Sequence, residues 1–418
     1  MSTLREKVEA ANAKTIEIFE NARPVWIDVQ PAGKVISEMH PNTIFVAGPP
    51  QPAWDKVVPP VRVAICGAAV HEKLAKDMDE AWEKVKAGEI EVKPAQDYAL
   101  ACGAAQAVSY SMPVNVVKDS VYGGMGFCAP HPGASGHVLR WGIYDEEVEK
   151  GLCWLRDVNG PAQSEILKKM GGMDIISVLT KTAGMGDENH CREFASSMYA
   201  ELKMIDVAMD LDLPDKAHFI QELAENERFF LHVLMAGSCS VLASARNIPY
   251  STIMTGMGGN GVEFGLKFSG TGDEWFTCPA PAILGRFLNP EWTVKDIVGY
   301  LGDSCVTEVY GLGGLSAIAG PGYIRLEGAT LDEAHRRTDN ARAVCLGEHK
   351  FAPVPWDDFK GTPCGVDMRK VVALNIVPTS HGGSTRVVGG QGGAGSCPFP
   401  MEPFKKGLEA FSKKYREE

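Results

Sequence analysis

Phe229-Phe230-Leu231-His232-Val233-Leu234-Met235-Ala236 is apolar nearly all round. A helix of that kind has no face to offer water, so the chain must build a core around it. The neighbouring segments Glu146 to Val158, Pro161 to Met170, Asn189 to Met209 and Asp215 to Ala245 carry apolar residues three or four apart, the spacing of helices. Residues 146–250 are therefore predicted to form a mainly helical domain. At 418 residues the chain exceeds the size at which one core keeps growing. Composition shifts on both sides: αβ alternation runs over 1–145, and glycine-rich β and loop material over 251–418. The expectation is a multi-domain α+β protein, with an N-terminal α/β domain, the helical middle domain and a C-terminal α+β domain.

Within these regions, residues 3 to 21 read as a helix and Pro24 to Val29, Thr43 to Val46 and Val114 to Val117 as strands. Val61 to Ala69 reads as a buried strand entering a small-residue turn. A helix then ends near Ala87, with Gly88 placed as its C-cap. Further on, Gly261 to Phe268 and Tyr323 to Leu326 alternate as half-buried strands do. Residues 330 to 345 read as a helix, Val371 to Ile376 as a strand and Phe404 to Arg416 as a closing helix.

The formal net charge of −12 and the absence of a basic stripe argue against nucleic-acid binding. Lys405 to Arg416 is basic but interleaved with acids, as a solvated helix face is. The eleven cysteines contain no Cys-x-x-Cys pair and sit in apolar settings, which suits reduced, buried thiols. The first residues open a charged amphipathic helix, and apolar runs are broken well short of a bilayer span. These features predict a soluble cytoplasmic protein.

Three polar, glycine-hinged stretches carry candidate chemistry. Gly302-Asp303-Ser304-Cys305-Val306-Thr307-Glu308, followed by Gly311 and Gly313-Gly314, offers two carboxylates and two hydroxyls beside exposed backbone. Asp303 and Glu308 are five apart, so a strand-to-helix turn fits better than one helix face. Gly184-Met185-Gly186-Asp187-Glu188-Asn189-His190 offers Glu188 and His190 for acid–base work near a helix start, where Asp187 or Asn189 also suits an N-cap. Ser380-His381-Gly382-Gly383-Ser384 is the third. One site assembled from several segments and three unrelated tight turns remain equal readings at this point.

Thr255 to Gly261 contains Gly-x-Gly-x-x-Gly at Gly256, Gly258 and Gly261, but it precedes a strand-like run, the reverse of the dinucleotide fingerprint. A turn bringing Asn260 to a ligand stays open. Gly389, Gly390, Gly392, Gly393 and Gly395 crowd one short run with Gln391. It reads either as a linker or as a backbone cradle for an anion. Arg140 and Arg386 are candidate clamps for a carboxylate or phosphate, Arg386 the better placed because it lies between two glycine stretches. No metal-ligand spacing occurs, which argues against a dedicated zinc site.

Together these motifs resemble the YahG/YlbE-like family. The resemblance runs through Ala47-Gly48-Pro49-Pro50 with Trp54, Ser111-Met112-Pro113-Val114, and Leu139-Arg140-Trp141-Gly142 with Tyr144. It continues through Met185-Gly186-Asp187-Glu188 with His190, Asn260-Gly261 with Phe264-Gly265, and Trp275-Phe276-Thr277 with Pro279-Ala280. Gly302-Asp303-Ser304, Thr307-Glu308, Gly311, Gly313-Gly314, Gly390-Gln391 and Gly393-Ala394-Gly395 complete it. The chain departs from the family pattern at Pro94 to Tyr98, His190 to Glu193 and Thr379 to Gly383. Those departures extend the expected substrates from oxalurate to related carbamoyl or amide compounds.

The resemblance implies a subunit of an oxamate carbamoyltransferase, working with an FdrA-like subunit and a third small subunit in allantoin breakdown. Oxalurate and phosphate would give oxamate and carbamoyl phosphate, with phosphate as co-substrate, no certain cofactor, and a divalent metal left open. On that reading Gly389 to Gly395 would stabilise the oxyanion and Arg386 would hold phosphate or carboxylate. Asp303 and Glu308 would orient the ureido N–H groups, and His190 or Glu188 would move the proton. Asp187 and His381 complete the catalytic candidates. Arg140, Asn260, Ser304, Thr307 and Gln391 join Arg386 and the glycines Gly389, Gly390, Gly393 and Gly395 as substrate-binding candidates. A standalone amide or cyclic-amide hydrolase or C–N lyase, and a non-catalytic scaffold subunit, are the alternatives.

Overall fold

The computed structural model describes residues 3–131, 133 and 139–416. Helix Phe229–Ala245 is the pillar its composition predicts, and fifteen of its residues are buried, from Phe229 to Ala245. It lies on a five-stranded sheet in the order Leu100–Ala101, Met125–Cys128, Pro113–Asp119, Pro24–Pro31, Met173–Asp174. Gly124 and Gly126 make that approach possible. A Cβ at either position would stand 2.1 Å from a helix carbonyl oxygen, of Ser240 or Ala236. The same core takes in helix Leu4–Asn21, the middle helices and much of the C-terminal third.

A second core draws most of its residues from between Ala32 and Val148 and reaches Val298 and Leu301. Its sheet joins Thr43–Val46 in parallel to Glu91–Pro94 and antiparallel to Ala107–Val108. Three smaller sheets finish the chain. Phe276–Pro279, Glu263–Phe268, Met254–Asn260 and Leu301–Gly302 form one, Leu284–Phe287, Gln391–Pro398 and Thr379–Thr385 another, and Cys345–Val354 with Lys360–Val366 the last. The protein is α+β. Among the described residues no single helix is long and apolar enough to cross a membrane.

Several elements follow from local chemistry. Thr3 and Glu6 form a reciprocal capping box at helix Leu4–Asn21. Helix Met78–Ala87 ends on Gly88 at φ 77°, the expected left-handed cap. Other expectations are corrected. Val61 to Ala69 is the middle of helix Pro59–His71, because Pro59-Pro60 fixes the first turn and an apolar run of that length suits either structure. Tyr323 to Leu326 lies in helix Pro321–Glu327, started by Pro321 and ended by Gly328 at φ 87°. Val371 to Leu374 is helical within Met368–Leu374, where Asp367 accepts from the Arg369 N–H as cap. Residues 189–193 are loop, and the helix begins at Phe194. Lys216–Ala224 and Phe229–Ala245 are separate helices.

Candidate active site

The three glycine-hinged stretches meet. Strand Leu301–Gly302 turns into the short helix Val306–Tyr310, putting Ser304 and Glu308 one helical turn apart on one side. Loop 187–193 lies against them. His190 Nδ1 stands 2.6 Å from Glu308 Oε1, and its Nε2 stands 2.7 Å from Ser304 Oγ. Strand Thr379–Thr385 closes the back, where the His381 N–H donates to the same Glu308 oxygen over 3.1 Å. Gly314 N–H donates to it as well at 3.1 Å. Gly313 permits this crowding: its φ is +58°, and a Cβ there would stand 2.5 Å from Glu308 Oε1 and 2.8 Å from His190 Cβ.

Ser304, His190 and Glu308 thus form one hydrogen-bonded line, a hydroxyl on a base that a carboxylate orients. Burial works against a charged His190, but Glu308, Glu188 and Glu193 outweigh it, and its pKa is raised above the ordinary imidazole value. Burial also opposes ionisation of Glu188. His381, His190 and the Cys191 N–H prevail and hold its carboxyl below the usual range. Glu188 Oε1 accepts from the N–H groups of Cys191 and Arg192 at 2.6 and 2.7 Å. Its other oxygen lies 3.3 Å from His381 Nδ1, an ion-pair distance without hydrogen-bond geometry.

This line opens into a pocket of about 150 Å³, whose wall includes Ser304, His190, Tyr300, Gln391, Arg140 and Arg228. No Asp or Glu is among its described lining residues. Its described wall therefore presents the Arg140 and Arg228 guanidinium groups with no carboxylate beside them on the surface. Burial, with the like charge of Arg228 next, pushes the Arg140 pKa down to about 10. Arg140 donates to His131 Nε2 over 2.9 Å, while its Nε finds no partner among the described residues. Burial disfavours charge on Arg228 too, but Glu193, bonded at 2.6 Å, keeps it charged.

Of the residues singled out from sequence, Arg140, His190, Ser304 and Gln391 line the pocket, with Glu188, Glu308 and His381 behind them. His137, next to the Arg140 motif, lies outside the described residues. Asp303 is elsewhere. Its carboxylate accepts from Gly48 N–H at 2.8 Å, Gln96 Nε2 at 2.6 Å and Cys102 N–H at 3.1 Å. Asn260 is consumed by the N–H groups of Val262 and Glu263 and the carbonyls of Pro49 and Pro50. Asp187 accepts from Ser196 N–H at 2.9 Å in the first turn of helix Phe194–Met209. Thr307 Oγ1 donates to the Ser304 carbonyl. The Arg386 guanidinium lies 4.2 Å over the Trp292 ring and does not line the pocket.

The glycine run is a strand. Gly393 and Gly395 lie in Gln391–Pro398, between Leu284–Phe287 and Thr379–Thr385. The Gly389 N–H donates to the Arg386 carbonyl, and the Gly390 N–H to that of Trp141. Close strand packing accounts for Gly393 and Gly395, where a Cβ at Gly395 would stand 2.2 Å from the Leu284 oxygen, and left-handed turn backbone at φ +88° and +86° accounts for Gly389 and Gly390. Gly395→Ala is expected to cost about 1–3 kcal/mol of stability, read from a denaturant transition.

Arg228, Tyr300 and Tyr323 were not singled out from sequence, yet they line the pocket. Arg228 left one signal. A cation at the first turn of an apolar helix opposes the helix dipole, so its place there implies another partner, here Glu193.

The profile of the family described as oxamate carbamoyltransferase subunit AllG matches residues 90–304. Oxamate carbamoyltransferase subunit AllG of Escherichia coli (strain K12) is 34% identical, over 97% of this chain and 98% of its own. Uncharacterized protein YahG of the same strain is 32% identical, over 99% of this chain and 88% of its own. The crystal structure of a conserved protein of unknown function from Enterococcus faecalis V583 matches with a TM-score of 0.95 and 30% identity, covering 99% of both chains. With near-full-length identity of this order, the chain belongs to the AllG family.

Proposed function

We propose that the chain is the carbamoyl-transferring subunit of a heteromeric enzyme that cleaves a ureido acid with phosphate. The observation carrying this reading is the pairing, in one small pocket, of the buried Arg140 guanidinium and the half-buried Arg228 guanidinium with the Ser304–His190–Glu308 line. Oxalurate ends in a carboxylate and phosphate is an anion, and Arg140 and Arg228 suit either. A bound anion would also relieve the repulsion and desolvation that depress Arg140. In this reading His190 would pass the proton to the leaving amide nitrogen. Membership of a family named for an oxamate carbamoyltransferase subunit supports the reaction class. The partners in this reading are an FdrA-like subunit and a third small subunit.

The test is turnover of oxalurate by the chain with those partners, with and without phosphate. Carbamoyl phosphate formed only when both are present supports the reading. Hydrolysis by the lone chain without phosphate replaces it with an amidohydrolase. Arg140→Lys keeps the charge but loses the planar fork, and it is expected to raise KM for the ureido acid about 10–100-fold with a smaller change in kcat. An unchanged KM would remove Arg140 from substrate binding.

A further inference from the structure

We infer that Ser304 is a nucleophile that carries the carbamoyl group covalently, so that transfer proceeds in two displacements and not by direct attack of phosphate. The inference rests on the carbamoyl-transfer reading above and specifies how this site would perform it.

Three observations converge on Ser304. Its Oγ is 2.7 Å from His190 Nε2, within reach for proton transfer, and it lines the pocket. The opposite ring nitrogen is fixed by Glu308, whose Oε1 also receives the Gly314 and His381 N–H groups. The imidazole is therefore held with Nε2 toward the hydroxyl, as a general base requires. Ser304 is also the half-exposed member of an otherwise buried turn, with Asp303, Cys305, Thr307 and Glu308 all fully buried around it. A hydroxyl serving only structure would have no need of a base behind it and open space before it.

The steps balance without a further reactant. Ser304 Oγ attacks the carbamoyl carbon while His190 Nε2 takes the hydroxyl proton. The bond from that carbon to the amide nitrogen then breaks, the nitrogen receives the proton from His190, and the amide product leaves. A phosphate oxygen next attacks the carbamoyl-serine carbonyl and delivers its proton to His190. The bond to Oγ breaks, Ser304 recovers a proton from His190, and carbamoyl phosphate departs. Glu308 is a positioning residue throughout.

The decisive experiment is isotope exchange in the assembled complex without phosphate. Labelled oxamate is expected to enter oxalurate, because the first displacement is reversible on its own. Acid-quenched protein should carry one carbamoyl mass on the peptide containing Ser304. Ser304→Ala, which removes one hydroxyl from a half-exposed site, is expected to fold normally and to lose exchange and turnover by about 10³-fold or more. Phosphate-dependent turnover in the wild type with no exchange and no adduct would overturn the inference while leaving the carbamoyl-transfer reading intact. Should the wild type show no turnover of oxalurate at all, that reading falls. Labelling with a fluorophosphonate then decides the nucleophile separately: modification of Ser304 that disappears in His190→Gln upholds it, and an unmodified Ser304 ends it.

Discussion

His190→Gln is expected to lower turnover by about 10²–10⁴-fold, the range for a lost general acid–base group, while the chain still joins its partners. The imidazole bridges the Glu308 carboxylate and the Ser304 hydroxyl, 2.6 and 2.7 Å away. Glutamine can satisfy Glu308 but cannot relay a proton. The pH profile separates this role from a structural one. His190 must be neutral to accept the Ser304 proton, and its pKa is raised because Glu308, Glu188 and Glu193 together overcome the burial that opposes its charge. The rising acidic limb of kcat/KM should therefore lie above the ordinary histidine value of about 6.5, and Glu188→Gln should move it toward acid. For stability the sign is opposite. A raised folded-state pKa favours the fold below the unfolded value, and that contribution is lost as pH rises through the folded one.

Asp303→Ala is expected to be the most destabilising single change, by about 3 kcal/mol or more. The carboxylate is fully buried and comes from the turn after Leu301–Gly302, whereas its donors Gly48, Gln96 and Cys102 come from the N-terminal region. Removing it strands buried donors on both sides of that junction. Burial, only partly offset by those donors, pushes its pKa up to about 7. The folded value thus exceeds the unfolded one of about 3.9, so this residue withdraws stability as pH rises from about 4 toward 7. Asp303→Asn keeps an acceptor for two donors, loses the one at Cys102, and should flatten that pH dependence. Melting the variants at two pH values checks both statements, and an Asp303→Ala protein as stable as wild type would contradict them.

Asp303 also shows where sequence reading ended. Asp303 and Glu308 looked like a carboxylate pair, but their spacing of five sends them to separate networks. The informative pair was Ser304 and Glu308, four apart on one turn, and it became meaningful only once His190 arrived from a distant loop. Periodicity found Leu4–Asn21, Thr43–Val46 and the buried pillar Phe229–Ala245, because burial patterns are local. It mistook Val61 to Ala69 for a strand, since a nearly all-buried helix of small residues has too narrow a polar face to reveal its period. The glycine run at 389–395 was ambiguous because glycine serves both turns and close approaches, and only the tertiary structure shows a turn at Gly389 and Gly390 and the strand Leu284–Phe287 against Gly393 and Gly395.

The most direct test of the central claim, that this chain carries the carbamoyl-transfer site, is phosphate-dependent formation of carbamoyl phosphate from oxalurate by the assembled complex, comparing wild type with His190→Gln. The expected result is product with the wild type and near-complete loss with the variant, at equal assembly. Equal turnover by both complexes would place the chemistry on a partner and leave this chain a scaffold.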